Sequence, residues 1–318
     1  MCQFKSAIII KPSQQYPKGR LVHNPWTDSH EDLVRIFKLR DERDNIARVE
    51  FTPPAIEDWT IPENYVLRID EARTPDWLTD EVRETHIKTL RDIIRSMIVS
   101  GDADLLCGGA YIIASGAKVA CIKSALVHVM WDTSKVGEMR GTSSVGVMWG
   151  TSSVGVMWDT SKVGEMRDTS KVGTMLDTSK VGEMRDTSSV GVMWGTSSVG
   201  EMRGASSVGE MRGASSVGTM LDTSKVGVML GTSKVGVMLG TSKVGVMWGT
   251  SSVGEMRGAS SVGEMRGASS VGEMRGASSV GEMRGASSVG EMLDTSSVGE
   301  MLGTSSVKND KRDKPEAK

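Results

Sequence analysis

The stretch DTSKVGEMRGTSSVGVMW, residues 132–149, holds the first two of nineteen nine-residue copies that continue without insertion or deletion to Leu302. If the positions of a copy are numbered 1 to 9 from Asp132, positions 3, 5, 6 and 8 are always Ser, Val, Gly and Met, whereas the others vary. More than half of the chain is therefore one structural unit repeated in register. Such strict repetition of a short unit is typical of a solenoid.

The variation among copies predicts which positions face water. Variable and often charged positions should point outward, which places Lys135 and Arg140 outside and Ser134, Val136 and Met139 inside. Position 1 is always Asp or Gly and predicts a corner, because both residues favour turns. The invariant Gly at position 6 either turns a second corner or leaves room for a close neighbour. We expect two short strands and two bends from each copy.

Nine residues are too few to enclose a core, so we expect two copies to form one coil of eighteen residues, with four short faces or two longer ones. Nineteen copies then give nine to ten coils, and a spacing of about 4.8 Å per coil makes a rod of roughly 45 Å. The inward serines should donate along their column or to corner carbonyls, because an unpaired buried hydroxyl costs about 1–3 kcal/mol. Recurring Gly and β-branched residues disfavour a helix.

The part of the chain before the repeats has a different composition and predicts a small α/β domain. All Phe and Tyr residues lie before residue 112, and seven of the eight Pro residues lie at or before Pro75. The predicted elements are a strand Phe4–Ile10, a helix from a Thr27 or Ser29 cap to about Arg43, strands Ala47–Phe51 and Tyr65–Ile69, and a helix from a Thr79 cap to a stop at Gly101. We interpret this domain as a cap that starts the stack and protects its end.

The transition into the repeats is gradual. Residues 105–122, LLCGGAYIIASGAKVACI, are small and apolar, and residues 123–131, KSALVHVMW, already match the repeat phase. We therefore predict a cap domain over 1–113, a solenoid over 114–307 and a charged tail over 308–318. The tail should fray because of its high charge content.

The repeat pattern also resembles known families. A small inward residue two places before a larger apolar one, as in Ser134/Val136 and Gly137/Met139, resembles the pentapeptide-repeat proteins, although here nine residues serve two faces instead of ten. The TSxVGxM sequence pattern is similar to that of nonapeptide-repeat proteins of bacteria and their phages. The resemblance implies a right-handed parallel β-solenoid. Together with the eighteen-residue coil of two nonapeptides and the N-terminal α/β capping domain inferred above, it predicts a mainly β protein. A phage origin would make it virion-associated rather than cytoplasmic.

The outward positions 7 and 9 vary together. Each Arg at position 9 follows Glu at position 7, and each Trp at position 9 follows Val. One interpretation is a solvent-exposed Glu–Arg ladder that neutralises itself. The other is a binding stripe for a protein partner or a second copy, whose best patch is Trp131, Trp149, Trp158 and Arg140.

Composition argues against several partners and sites. A formal charge of −2 gives no general reason to expect nucleic acid or an anionic membrane, and no apolar run reaches the roughly eighteen residues of a membrane-spanning helix. Three cysteines without CxxC spacing favour a reducing cytosol, and we find no signal peptide. The four histidines lack ligand spacing, and the copies lack the GGxGxDxUx pattern of calcium-binding repeats. We expect no metal, no cofactor and no membrane insertion.

Single residues of the N-terminal domain each have two interpretations. His30 among acidic residues fits an exposed helix start better than an acid–base group, and Cys107 fits a buried structural thiol better than a nucleophile. Trp26, Trp59 and Trp77 are expected as core anchors. Without a catalytic motif, we expect a non-enzymatic structural or protein-interaction rod. The alternative is a ligand- or nucleic-acid-binding protein, or an enzyme, with its activity in the N-terminal domain and the solenoid as a spacer.

Overall fold

A computed structural model describes residues 5–27, 29–42 and 44–312 of the chain. The predicted positions Phe4, Arg43 and 313–318 lie outside these residues. Contacts divide the chain into a first compact unit, residues 1–99 with 109–114, and a second unit, residues 100–108 with 115–318. The domain limits drawn from the sequence stay a prediction.

The first unit is built on a small antiparallel sheet. Its strands are β1 Lys5–Ile10, β2 Arg20–Val22, β3 Ile46–Thr52 and β4 Val66–Ile69, in the order β2-β1-β3-β4. The other elements are helices α1 His30–Ile36 and α2 Asp80–Met97, 3-10 turns Ile56–Thr60 and Pro62–Asn64, and the parallel pair Ile98–Val99 with Ala110–Ile113. A cluster of Ile8, Val22, Leu33 and Ile46 forms part of the core between sheet and α1.

Both predicted helices begin where their caps indicate. The Ser29 hydroxyl accepts a hydrogen bond from the Asp32 amide at 3.3 Å, and the Thr79 hydroxyl accepts one from the Val82 amide at 3.4 Å. Helix α1 ends at Ile36, well before the predicted end, because Lys38 adopts a left-handed φ of 51°. Helix α2 ends at Met97, ahead of the predicted stop, because the next residue is already extended.

The second unit is a parallel β-solenoid in which alternate repeats join alternate sheets. Sheet I consists of Ala103–Cys107, Lys118–Lys123, Lys135–Arg140, Ser153–Met157, Lys171–Met175, Ser189–Met193, Ser207–Met211, Lys225–Met229, Lys243–Met247, Ser261–Met265, Ser279–Met283 and Ser297–Met301. Within this unit, sheet II consists of Leu126–Met130, Ser144–Met148, Lys162–Met166, Lys180–Met184, Ser198–Met202, Ser216–Met220, Lys234–Met238, Ser252–Met256, Ser270–Met274, Ser288–Met292 and Ser306–Asp310.

One coil contains two nonapeptides, as predicted, but each copy supplies one strand and one corner. Val136 pairs with Val154, and Met139 with Met157, so residues eighteen apart stack on neighbouring rungs. The expectation of two strands per copy is wrong because Gly137 does not turn the chain. Positions 6 and 7 both face outward between the inward Val and Met, and the strand continues. The coil therefore has two longer sides, unlike the four-sided pentapeptide-repeat solenoids.

Glycine at position 6 is required by a close approach between rungs. A Cβ atom placed on Gly209 would lie 2.5 Å from the carbonyl oxygen of Gly191, one rung earlier. The same contact, at 2.4–2.6 Å, recurs at every position-6 Gly of the repeats. Real Cβ atoms do not approach a backbone oxygen this closely, so only a residue without a side chain fits.

Position 1 forms the corner, as predicted from its Asp or Gly residues. Asp222 has a φ of 54°, in the left-handed region that Asp and Gly tolerate best. Its carboxylate accepts a hydrogen bond from the Gly204 amide at 3.0 Å, one rung earlier. The neighbouring Thr223 hydroxyl donates to the Gly204 carbonyl at 3.0 Å. Asp-Thr corners thus make two side-chain hydrogen bonds to the preceding rung. Gly-Ala corners have no side-chain groups that could make these bonds.

The interior consists of stacked columns of Val, Met and Ser. The position-5 Val and position-8 Met side chains are at most 2% exposed from Val136 to Met292. The position-3 serines are buried as well, but within the described residues the hydroxyls from Ser134 to Ser305 have no hydrogen-bond partner. Our expectation that they pair along the column is wrong, because rungs about 4.8 Å apart hold identical atoms beyond hydrogen-bond reach.

We expect Ser206→Ala to raise the free energy of unfolding by about 1 kcal/mol, because it removes a buried hydroxyl that makes no hydrogen bond. Urea titration followed by circular dichroism measures the change. The control is Ser207→Ala, at the partly exposed position 4 of the same copy, which should change little. A loss of stability in Ser206→Ala would show that this hydroxyl is bonded in the native protein.

The stack is longer than the repeat count predicted. Sheet I has twelve strands, against nine to ten expected coils, because the degenerate segments Ala103–Cys107 and Lys118–Lys123 already pair in parallel. At the other end the predicted fraying is wrong for residues 308–310, because the strand Ser306–Asp310 pairs with Ser288–Met292. Backbone pairing continues there because parallel hydrogen bonds do not depend on side-chain polarity.

Candidate functional site on the outer faces of the solenoid

The position-9 side chains form two separate columns, one beside each sheet. The position-9 residues of two consecutive copies therefore lie on opposite faces of the solenoid. The column beside sheet I consists of Arg140, Trp158, Leu176, Trp194, Arg212, Leu230, Trp248, Arg266, Arg284 and Leu302. The column beside sheet II consists of Trp149, Arg167, Arg185, Arg203, Leu221, Leu239, Arg257, Arg275 and Leu293.

The four residues of the sequence-predicted patch divide between these columns. Trp131 and Trp149 follow successive strands of sheet II, and their ring centroids are 6.1 Å apart. Arg140 and Trp158 belong to successive rungs of sheet I. The structure thus brings the residues together as two pairs on different faces, and binding through either pair stays a prediction.

Glu and Arg form a continuous ladder on part of sheet II. The Arg185 Nε atom lies 2.8 Å from Glu183 and 2.9 Å from Glu165, and the Arg203 Nε atom lies 3.1 Å from Glu183. The hydrogen bond from Arg185 lowers the pKa of the Glu183 carboxyl and raises the pKa of the Arg185 guanidinium. This segment neutralises its own charge, as one of the two interpretations of positions 7 and 9 requires.

Arginine also covers tryptophan from the next rung. The Arg167 guanidinium carbon lies 4.4 Å from the Trp149 ring centroid, and Arg212 lies 4.7 Å from the Trp194 ring centroid. Arg266 and Trp248 repeat the arrangement at 4.9 Å. Cation–π contacts of this kind restrict the positions of these three indoles on the outer faces.

One stretch of the sheet I face is uncharged at positions 7 and 9 over three consecutive rungs. We name it the apolar segment: Val156, Trp158, Thr174, Leu176, Val192 and Trp194. Trp158 is 37% exposed and Trp194 is 43% exposed. Contiguous exposed apolar surface with Trp anchors is typical of protein interaction sites.

The sheet II face, on the other side of the same rungs, is charged at positions 7 and 9. The copies that alternate with the apolar segment carry the Glu–Arg ladder of Arg167, Arg185 and Arg203. This part of the rod is therefore amphipathic: positions 7 and 9 are uncharged on the sheet I side, where Lys171 at position 4 is the charged residue of these three strands, and they form Glu–Arg pairs on the sheet II side. The sequence contained the signal, since writing alternate copies in two columns separates the faces. The amphipathic character is not visible when all nineteen copies are assigned to a single outer face.

Three expectations for single residues are wrong. His30 is buried, with Nε2 3.0 Å from the Val49 carbonyl oxygen, because the first residue of α1 turns towards β3. Cys107 is exposed because strand alternation directs Leu106 inward. Trp26 is 54% exposed and lies in a turn. Trp59 and Trp77 are partly buried.

The first unit contains a cleft of about 230 Å³, lined by Lys5, His23, Ser96, Met97 and Tyr111 among others. The Lys5 side chain is fully buried and its Nζ donates to the Asn24 carbonyl at 2.7 Å. Burial, with a smaller contribution from Lys5, lowers the pKa of His23. Both the Lys5 side chain and the His23 Nδ1 atom are closed to solvent, so the cleft does not present these nitrogen atoms to a ligand.

Two further findings concern metals and membranes. In residues 5–27, 29–42 and 44–312, no group of three or more His, Cys, Asp or Glu residues is arranged to hold a metal ion. The same residues include no helix with the length and apolarity needed to cross a bilayer.

No protein-family model matches the chain, and neither the curated proteins nor the solved structures include a match. The likeness to pentapeptide- and nonapeptide-repeat proteins consequently rests on the residue pattern alone. The β-solenoid itself is established by the parallel rungs and their eighteen-residue register.

Proposed function

We propose that this protein is a non-enzymatic structural rod that binds a protein partner through the apolar segment of sheet I. The main support is the three-rung run of uncharged side chains at positions 7 and 9 around the exposed indoles of Trp158 and Trp194. The stacked Val, Met and Gly columns supply rigidity, because every rung repeats the same packing. A flat, rigid face that carries Trp side chains loses little entropy on binding.

The chain offers a matched test of this proposal. Copies 141–149 and 150–158 have the same sequence, GTSSVGVMW, but face opposite ways. Val156→Glu with Trp158→Arg (the sheet I variant) introduces the Glu–Arg pair found in other copies, so the fold should tolerate it. Val147→Glu with Trp149→Arg (the sheet II variant) makes the same change on the other face.

The full-length protein is used to capture a partner from its native extract, and the partner is then purified. We expect the affinity of this partner for the sheet I variant to be at least tenfold lower than for wild type. Loss of a central Trp anchor commonly costs 2 kcal/mol or more, which is roughly thirtyfold. The sheet II variant should bind like wild type. Equal binding by wild type and the sheet I variant would contradict the proposal, and selective loss in the sheet II variant would assign binding to the Trp131–Trp149 pair.

A further inference from the structure

The order of side chains along sheet I suggests which partner fits this face. From Arg140 to Arg266 the position-9 column reads Arg, Trp, Leu, Trp, Arg, Leu, Trp, Arg over eight successive rungs. Read from the opposite end, Arg, Trp and Leu again come first, and only the central Trp194 and Arg212 exchange places. A second copy turned end for end therefore meets this face with like side chains opposite each other.

We propose that the apolar segment is covered by a second copy of this chain, in an antiparallel dimer through sheet I. The two-fold axis lies parallel to the strands, between the rungs of Trp194 and Arg212. This inference rests on the proposed function, since it names the partner for the same surface.

The pairing that follows is apolar over most of its length. Trp158 faces Trp248 of the second copy, and Leu176 faces Leu230 of the second copy. At position 7 of these rungs, Val156 faces Val246 of the second copy. All three tryptophans of this column are at least 37% exposed in the single chain. Pairing them removes an exposed apolar stripe from water.

The charged residues at the centre and ends of the interface have partners within their own chain. Glu210 faces Val192 of the second copy but is paired with its own Arg212. At the centre, Arg212 faces Trp194 of the second copy, and it already lies 4.7 Å from its own Trp194 ring centroid, so the guanidinium can lie between two indoles. At the ends, Arg140 and Arg266 each carry their own Glu partner. Lys171 faces Lys225 of the second copy at the other edge of the strands, where both ammonium groups can turn to solvent.

The area is sufficient for a specific dimer. Eight rungs span seven spacings of about 4.8 Å, and a five-residue strand is about 17 Å long, so the face measures roughly 34 by 17 Å. Two copies bury about 1,100 Å² in total on this estimate, above the ~1,000 Å² expected of a specific interface. The uncharged rungs of the sheet II column are interrupted, because Glu–Arg pairs occupy the rungs from Arg167 to Arg203 and again those of Arg257 and Arg275.

Sedimentation of the full chain tests the dimer. We expect a dimer for wild type and for the sheet II variant. For the sheet I variant the dissociation constant should rise at least a hundredfold, because two symmetry-related contacts are lost. Wild-type protein that remains monomeric, or a sheet I variant that dimerises like wild type, would overturn the inference.

Cross-linking tests the antiparallel order. In full-length protein carrying Cys2→Ser, Cys107→Ser and Cys121→Ser, we compare Leu176→Cys alone, Leu230→Cys alone and an equimolar mixture, each treated with a short bismaleimide. Facing sheets lie about 10 Å apart, whereas two copies of Leu176 would be three further rungs apart, about 14 Å along the rod. Strong cross-linking should occur only in the mixture, and efficient cross-linking of either variant alone would contradict the antiparallel order.

The two proposals fail separately. Monomeric wild type whose captured partner is lost in the sheet I variant would refute the second copy but support the interaction face. Monomeric wild type with unchanged capture in that variant would refute both.

Discussion

Gly209→Ala should destabilise the solenoid by more than about 3 kcal/mol. The added Cβ would lie 2.5 Å from the Gly191 carbonyl oxygen, and the atom that obstructs it is backbone, which cannot rotate away as a side chain can. Overpacking in a well-packed interior commonly costs 1–3 kcal/mol, and a forced separation of hydrogen-bonded rungs adds to that. Urea or thermal unfolding followed by circular dichroism measures the loss.

The matched control is Gly213→Asp in the next copy. Gly213 occupies a corner with a φ of 66°, and Asp takes this position in other copies, where its carboxylate accepts a backbone amide of the preceding rung. We expect this larger side chain to change stability by less than about 1 kcal/mol. A Gly209→Ala protein as stable as wild type would show that the rungs are not in the close contact described.

Met202→Ala should cost about 2–5 kcal/mol. The Met202 side chain is fully buried between Met184 and Met220 of the neighbouring rungs, so truncation removes apolar contacts and leaves a cavity that the stacked strands cannot close. The denaturant midpoint of the full-length protein measures the effect, with Met202→Leu expected to cost less than about 1.5 kcal/mol because it keeps the volume.

The same substitution at the last rung is an internal control. Met301 occupies the equivalent position but is 43% exposed, so Met301→Ala should cost much less than Met202→Ala. Similar losses at the two positions would contradict a dry Met column, since they would mean that burial does not set the contribution of this residue.

Local sequence signals predicted much of the architecture. The invariance of Ser, Val and Met and the variation of charged residues indicated which side chains face inward, because a buried column tolerates less change than a solvated one. Thr79 and Ser29 marked helix starts through their side-chain hydrogen bonds. Helix ends were predicted less well, since α1 stops where Lys38 turns left-handed, a choice that depends on the packing around it.

The candidate site was less accessible to sequence reasoning. The coupling of Glu with Arg and of Val with Trp was visible within each copy. Whether Trp149 and Trp158 lie together depends on coil closure, and two sides per coil place them on opposite faces. The apolar segment is therefore formed by residues that are eighteen positions apart in the sequence, and inspection of a single nine-residue copy does not show that they are neighbours.

The sequence by itself determined the repeat unit, the inward Ser, Val and Met positions and the corner at position 1, because these follow from side-chain polarity and from the turn preference of Gly and Asp. Tertiary structure alone decided that each copy makes one strand, that the serine hydroxyls stay unpaired, and which side chains share a face. The physical reason is that these features arise between rungs. Contacts such as Gly209 on the Gly191 carbonyl exist only after two copies have closed a coil and the next coil has stacked on it.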